Sequence, residues 1–181
     1  MDTAEEKATM IIWMVGLSGS GKTTLGRAIA NEWRGIAPNT VFLDGDELRE
    51  VFSYDQGDAP YTVEGRRRNA CRMVALCEML DRQGINVVCC ILSIFPDMRA
   101  ENRQRFSEYF EVFMDAPMDA LRRRDVKGLY AMAERGEMNN VIGVDIPFEK
   151  PTTADMIVDS SMDDPDIPSL SQSVLQRAGV L

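Results

Sequence analysis

A chain of 181 residues, 45% hydrophobic and 27% charged, has the length and balance of one soluble globular domain with a sizeable core. Its 20 basic and 29 acidic residues leave a net charge of −9, which disfavours nucleic-acid polymers and anionic membranes as partners because both would be repelled. Histidine is absent, so Ser-His and Cys-His catalysis and His-ligated metals are excluded.

The first nine residues are polar and acidic and give no sign of a signal peptide, and no apolar run approaches a membrane span. A soluble, cytoplasmic protein is expected. Residues 10–15 form a continuous apolar run ended by a glycine-rich segment, the pattern of a buried parallel strand. Residues 22–33 read as a helix with Leu25, Ala28, Ile29 and Trp33 on one face, and 40–43 as a second short strand. A helix follows near 46–52, then a polar loop over 53–60. Helical periodicity returns over 62–83, where Ala70, Met73, Val74, Cys77 and Leu80 make one stripe. Strands are predicted at 87–92, 109–114 and 156–158, with helices around 97–107 and 170–177. Cys71, Cys77, Cys89 and Cys90 form no C-x-x-C and read as reduced, mostly buried thiols, a zinc or redox site being the lesser alternative. The alternation of strand and helix argues for an α/β fold, a mostly parallel sheet with helices on both faces, in a single domain over 1–181.

Chemistry enters at Gly16-Leu17-Ser18-Gly19-Ser20-Gly21-Lys22-Thr23, a full G-x-x-x-x-G-K-[ST] match placed between a strand and a helix. The glycines let the backbone wrap a polyphosphate with N–H groups from Ser18 to Thr23 pointing inward, and the helix start adds its positive dipole end. Lys22 then reaches the β- and γ-phosphates of a nucleotide triphosphate, and the Thr23 hydroxyl holds Mg²⁺. Thr24 completes the segment. No guanine-reading N-K-x-D follows, which argues against a GTPase switch, and 181 residues leave little space for a motor's core. A small-molecule kinase needs a carboxylate at the end of a second strand, and Asp44-Gly45-Asp46 supplies two. One can orient the metal's water shell and the other accept the proton of an attacking hydroxyl; alternatively the pair makes a turn and a helix cap, with Asp46 serving both purposes. Arg122-Arg123-Arg124-Asp125-Val126-Lys127 is the candidate basic lid (roughly 122–140): such cations repel one another unless an anion shares them, so they are expected to close on phosphates, a solvated helix face being the alternative.

Together these motifs resemble the adenylylsulfate (APS) kinase family over about residues 10–160. The pieces that carry the resemblance are G-L-S-G-S-G-K-T-T at 16–24, L-D-G-D-x-x-R at 43–49, R-D-V-K-G-L-Y at 124–130, G-E at 136–137 and G-V-D-x-P-F-E-x-P at 143–151. The resemblance implies a P-loop kinase that uses ATP and Mg²⁺ to phosphorylate the ribose 3′-hydroxyl of adenosine 5′-phosphosulfate, working as a homodimer. By position it implies nucleotide contacts from Gly16, from Ser18, Gly19, Ser20, Gly21, Lys22, Thr23 and Thr24, and from Arg124, with metal contacts from Thr23 and Asp44. Asp46 is similar to the carboxylate that activates the acceptor hydroxyl, with Asp44 as support. Lys127 resembles the lid lysine near the phosphates, and Arg49, Arg66, Asn69 and Ser93 resemble acceptor-binding groups.

The chain departs from the family in the acceptor region. Where the family shows F-S-x-x-D-R-x-E-N, this chain has Tyr61, Thr62, Gly65, Arg66, Arg68 and Asn69, which adds an arginine and removes two acids. Where F-I-S-P-Y-R is usual, it carries Leu92, Ser93, Ile94 and Pro96. Val141 stands where a phenylalanine would clamp the acceptor adenine opposite Tyr61, and base stacking is worth roughly 1–3 kcal/mol. The segments at 91–95 and 140–148 are closer to a capsule-type branch that phosphorylates cytidine diphosphoramidate. The expectation is therefore a kinase of a nucleotide-like acceptor, APS first and cytidine diphosphoramidate nearly level. The alternative of another class is an inactive nucleotide-binding module.

Overall fold

The structure is a computed structural model that describes residues 8–52, 61–125 and 127–181. Five strands, β1 (Met10–Val15), β2 (Thr40–Asp44), β3 (Asn86–Ile91), β4 (Glu108–Asp115) and β5 (Met156–Asp159), make one parallel sheet in the order β2-β3-β1-β4-β5. Between them run α1 (Lys22–Arg34), α2 (Gly45–Phe52), α3 (Val63–Asp81), α4 (Pro96–Arg105), α5 (Met118–Arg124) and α6 (Leu129–Glu134), and α7 (Ile167–Arg177) follows β5. Among the described residues no helix is long and apolar enough to cross a membrane. The polar loop expected at 53–60 lies outside the described residues.

The uninterrupted apolar run of β1 follows from helices covering both faces of the sheet. Ile12 and Met14 point to one face, where they pack with Leu25, Ile29 and Trp33 of α1 and Val174 and Leu175 of α7. Ile11, Trp13 and Val15 point to the other, against Ala70, Met73, Val74 and Cys77 of α3 with Phe95 and Phe106 at the ends of α4. The stripe predicted on α3 is thus the stripe that it buries, and Thr62 caps that helix by accepting the Gly65 N–H at 3.1 Å. A third apolar cluster, built on Leu17, Leu121, Tyr130, Val141 and Ile142, packs the segment around 121–142 beside the phosphate loop.

The basic stretch runs past the end of α5, and the Asp125 carboxylate starts α6 by accepting the Tyr130 and Ala131 N–H groups at 3.2 and 2.9 Å. One boundary differs from the sequence expectation. Helix α7 begins three residues earlier than its apolar periodicity suggested. Asp166 accepts the Ser169 N–H at 3.1 Å and Pro168 sits in the first turn, an N-cap signature readable in Asp-Ile-Pro-Ser.

Helix α1 carries the phosphate loop's lysine and threonine, and Gly26 sets how closely it lies on the sheet. A Cβ there would fall 2.4 Å from Cys90 Sγ and 3.0 Å from Phe42. Gly26→Ala therefore sets overpacking of about 1–3 kcal/mol against a helix-propensity gain of up to about 1 kcal/mol. A net loss of stability is expected in urea or thermal unfolding; a variant more stable than wild type would show that α1 is free to lift.

Candidate active site

The C-terminal ends of the strands open onto a cleft of about 900 Å³. Such a crevice is the expected ligand site where the chain leaves β1 to one side for β2 and later crosses to the other for β4. Its floor is the phosphate loop between β1 and α1. Gly19 and Gly21 take φ of 78° and 88°, which side-chain-bearing residues rarely adopt, and this turns the loop around its own centre. Ser18, Gly19, Gly21, Lys22, Thr23 and Thr24 face the cleft. Gly16 and Ser20 lie behind it: a Cβ on Gly16 would fall 2.6 Å from Ser20 Oγ, and Ser20 is fully buried. The Ser20 carbonyl accepts from Ser160 Oγ at 2.7 Å, tying the loop to the end of β5.

Lys22 folds back into the loop, its Nζ donating to the Leu17 carbonyl at 2.7 Å and to Ser20 Oγ at 3.4 Å. Burial lowers its pKa to about 8, against the opposing charges of Asp46 and Asp44. Thr23 Oγ1 donates to Asp44 Oδ2 at 2.7 Å, and Asp44 Oδ1 accepts the Asp46 N–H at 2.9 Å. The cap of α2 therefore falls to Asp44, which frees the Asp46 side chain for the cleft. Asp46 Oδ2 accepts from Lys127 Nζ at 2.7 Å. Burial pushes the Asp46 carboxyl up, but the Lys127 hydrogen bond and the charges of Lys127, Arg49 and Lys22 outweigh it and hold it below the usual carboxylate range. The same hydrogen bond raises Lys127.

At one end of the cleft Arg49 lies 4.9 Å and Arg66 5.8 Å from the centre of the Tyr61 ring. Arg66 donates to the Tyr61 and Asn140 carbonyls, each at 2.9 Å, and burial followed by the charge of Arg49 lowers its pKa. Arg49 lines the same end, and among the described residues its buried Nε and Nη1 have no hydrogen-bond acceptor. Asn69 lines the same end. At the other end Arg124 is held by Asp163 at 3.2 Å, by Ser160 Oγ at 3.4 Å and by the Met162 carbonyl. Pro165, Ile167 and Leu170 complete that wall.

Three expectations change. Arg122 and Arg123 do not face the cleft: Arg122 pairs with Glu134 and Asp119, and Arg123 with Asp163, so acids rather than a shared anion offset the basic run. Arg68 turns outward to Glu64 at 2.7 Å and does not line the cleft. Ser93 and Val141, each 1% exposed, do not line the cleft; Val141 packs in the lid root and the neighbouring Ile142 takes the cleft position. Met132 and Met138, which no sequence signal singled out, also line the cleft.

A sequence model of the adenylylsulphate kinase family matches residues 8–159. The chain belongs to the adenylylsulphate kinase family. Among its relatives, the Campylobacter jejuni cytidine diphosphoramidate kinase is 39% identical over 151 residues, 83% of this chain and 86% of that one. The Picosynechococcus adenylyl-sulfate kinase is 35% identical over 151 residues, 83% of this chain and 84% of that one. Among solved structures, the Mycobacterium tuberculosis APS kinase in complex with AMPPNP and APS superposes with a TM-score of 0.82 at 29% identity, covering 95% of this chain and 98% of that one. As a member of this kinase family the protein is a phosphotransferase, and the cleft groups described above are the ones available for transfer.

Proposed function

We propose that the protein transfers the γ-phosphoryl group of MgATP to a ribose hydroxyl of a nucleotide-like acceptor, acting in the cytoplasm through a single catalytic domain with its lid at 122–140. The observation that carries this reading is the convergence of Lys22, the Thr23–Asp44 pair, Asp46 and Lys127 on one cleft. Thr23 Oγ1 and Asp44 Oδ2, 2.7 Å apart, are hard oxygen donors that suit Mg²⁺. When bound there, Mg²⁺ neutralises phosphate charge. Lys22 exchanges the Leu17 carbonyl for phosphate oxygens, Arg124 and the α7 wall hold the ATP base, and Arg49, Arg66 and Asn69 hold the acceptor. Asp46 accepts the hydroxyl proton once Lys127 has moved onto the phosphates. A carboxylate of low pKa is sufficient for this, because a loose phosphoryl-transfer transition state asks little of the base until late.

The geometry favours a small acceptor base. Tyr61 is the one aromatic side chain among the described residues lining the cleft, and Met132, Met138 and Ile142 line it without adding a second ring. A lost second ring weakens a purine clamp by roughly 1–3 kcal/mol and penalises a pyrimidine less. Cytidine diphosphoramidate is therefore the acceptor we place first and APS second, a reading that the Campylobacter relative also supports. The test is ADP release with each acceptor. A kcat/KM about tenfold higher for the cytidine compound is expected, the equivalent of about 1.4 kcal/mol. The opposite ranking returns the reading to APS, and turnover with neither leaves a nucleotide-binding module.

A further inference from the structure

The lid touches the phosphate loop at a point that the mechanism above does not use. Tyr130, the second residue of α6, is 2% exposed, and its hydroxyl donates to the Ser18 carbonyl at 2.8 Å across 112 positions of sequence. Its own backbone N–H is held by the Asp125 carboxylate at 3.2 Å, and the Gly128 N–H by the Asp125 carbonyl at 2.8 Å. Lys127 therefore sits in a short turn whose far side is fastened to the floor of the cleft. On the near side its ammonium reaches Asp46, whose N–H is held by Asp44, which in turn accepts from Thr23. The lid and the phosphate loop are thus joined by contacts on both sides of the place where phosphate would lie.

We infer that Tyr130 is a positioning residue: its hydroxyl, bound to the Ser18 carbonyl, sets the lid lysine Lys127 in register with the phosphate loop. Two physical consequences favour this role. A phosphate loop binds anions through inward N–H groups, and a carbonyl turned inward would repel them; a donor on the Ser18 oxygen holds that dipole away. A lysine on a flexible stem reaches a transferring group reproducibly only if its backbone is fixed, and a displacement of about 1 Å at such a group can lower the rate by about 100-fold. Burial, with the nearby Asp125 charge, raises the Tyr130 pKa to about 12, so the hydroxyl remains a donor throughout the working pH range.

The inference rests on the proposed phosphoryl transfer, so its test has one arm that does not. Tyr130→Phe keeps the ring in the lid root and removes only the donor. In steady-state assays with MgATP and both candidate acceptors, kcat should fall about tenfold with the KM for ATP unchanged. In a Lys127→Met background, where the positioned group is already gone, the same change should cost less than about twofold. A loss of equal size in both backgrounds, an unchanged kcat, or a loss that appears in ATP affinity overturns the assignment. If neither acceptor turns over, the proposed function fails, and trypsin cleavage of the ligand-free protein after Lys127 decides the anchor. Cleavage several-fold faster in Tyr130→Phe supports it, since the turn must detach before it is cut; an unchanged rate removes it.

Discussion

Lys22→Met is expected to abolish turnover while leaving the ligand-free protein at least as stable as wild type at pH 7. The lysine's burial lowers its pKa to about 8 from an ordinary 10.5, so the empty fold is strained by holding the charge and is relieved by losing it. The sign follows from proton counting. Between about pH 8 and 10.5 the unfolded chain binds more protons than the folded one, so Lys22 contributes a stability that rises with pH across that window and is absent below it. Methionine keeps the stem's packing and removes this dependence. A triphosphate reverses the preference, because an anion beside the ammonium favours the charged form. Nucleotide binding above pH 8 should therefore take up a proton, and affinity should fall by up to about tenfold per pH unit. Calorimetry at pH 9 in two buffers of different ionisation enthalpy measures the uptake directly. Equal heats in both buffers would remove Lys22 from nucleotide binding, and a melting temperature lowered in step with activity would make it a structural residue.

Asp46→Asn should reduce kcat by about 100-fold or more with the dissociation constant for MgATP changed by less than about twofold. Asparagine keeps the shape and still accepts a hydrogen bond, but it takes up no proton from an attacking hydroxyl. The side chain does not cap α2, which falls to Asp44, so the substitution leaves the helix start intact. The acid limb of kcat/KM should lie below the ordinary carboxylate range, because Lys127, Arg49 and Lys22 hold Asp46 ionised there. A variant with unchanged kcat would remove Asp46 from the chemistry. A large loss of ATP affinity would instead assign it to the metal and phosphate end with Asp44.

Much of the site was legible because its parts are local in sequence. The phosphate loop is eight consecutive residues whose glycines allow the conformation that its N–H groups require, and Asp44 to Arg49 is a strand end running into a helix. Acceptor-side details were not local. Val141 and Ile142 are both apolar, and nothing in their spacing says which faces the cleft; the lid-root packing with Leu17, Leu121 and Tyr130 decides it. The arginine run suggested a shared anion, yet Glu134 and Asp163 answer Arg122 and Arg123 from 12 to 40 residues away.

Residue order by itself determined the parallel α/β fold, the triphosphate cradle and the carboxylate pair, because hydrophobic period and loop conformation act over a few neighbouring residues. Tertiary structure alone decided which cations face the cleft, that Tyr130 reaches the phosphate loop, and that Glu111 in mid-sheet lies buried 3.4 Å from Arg99 of α4. Those partners meet only after strands and helices have settled their registers and rotations. That settling depends on packing across the whole core, which short-range pattern does not encode.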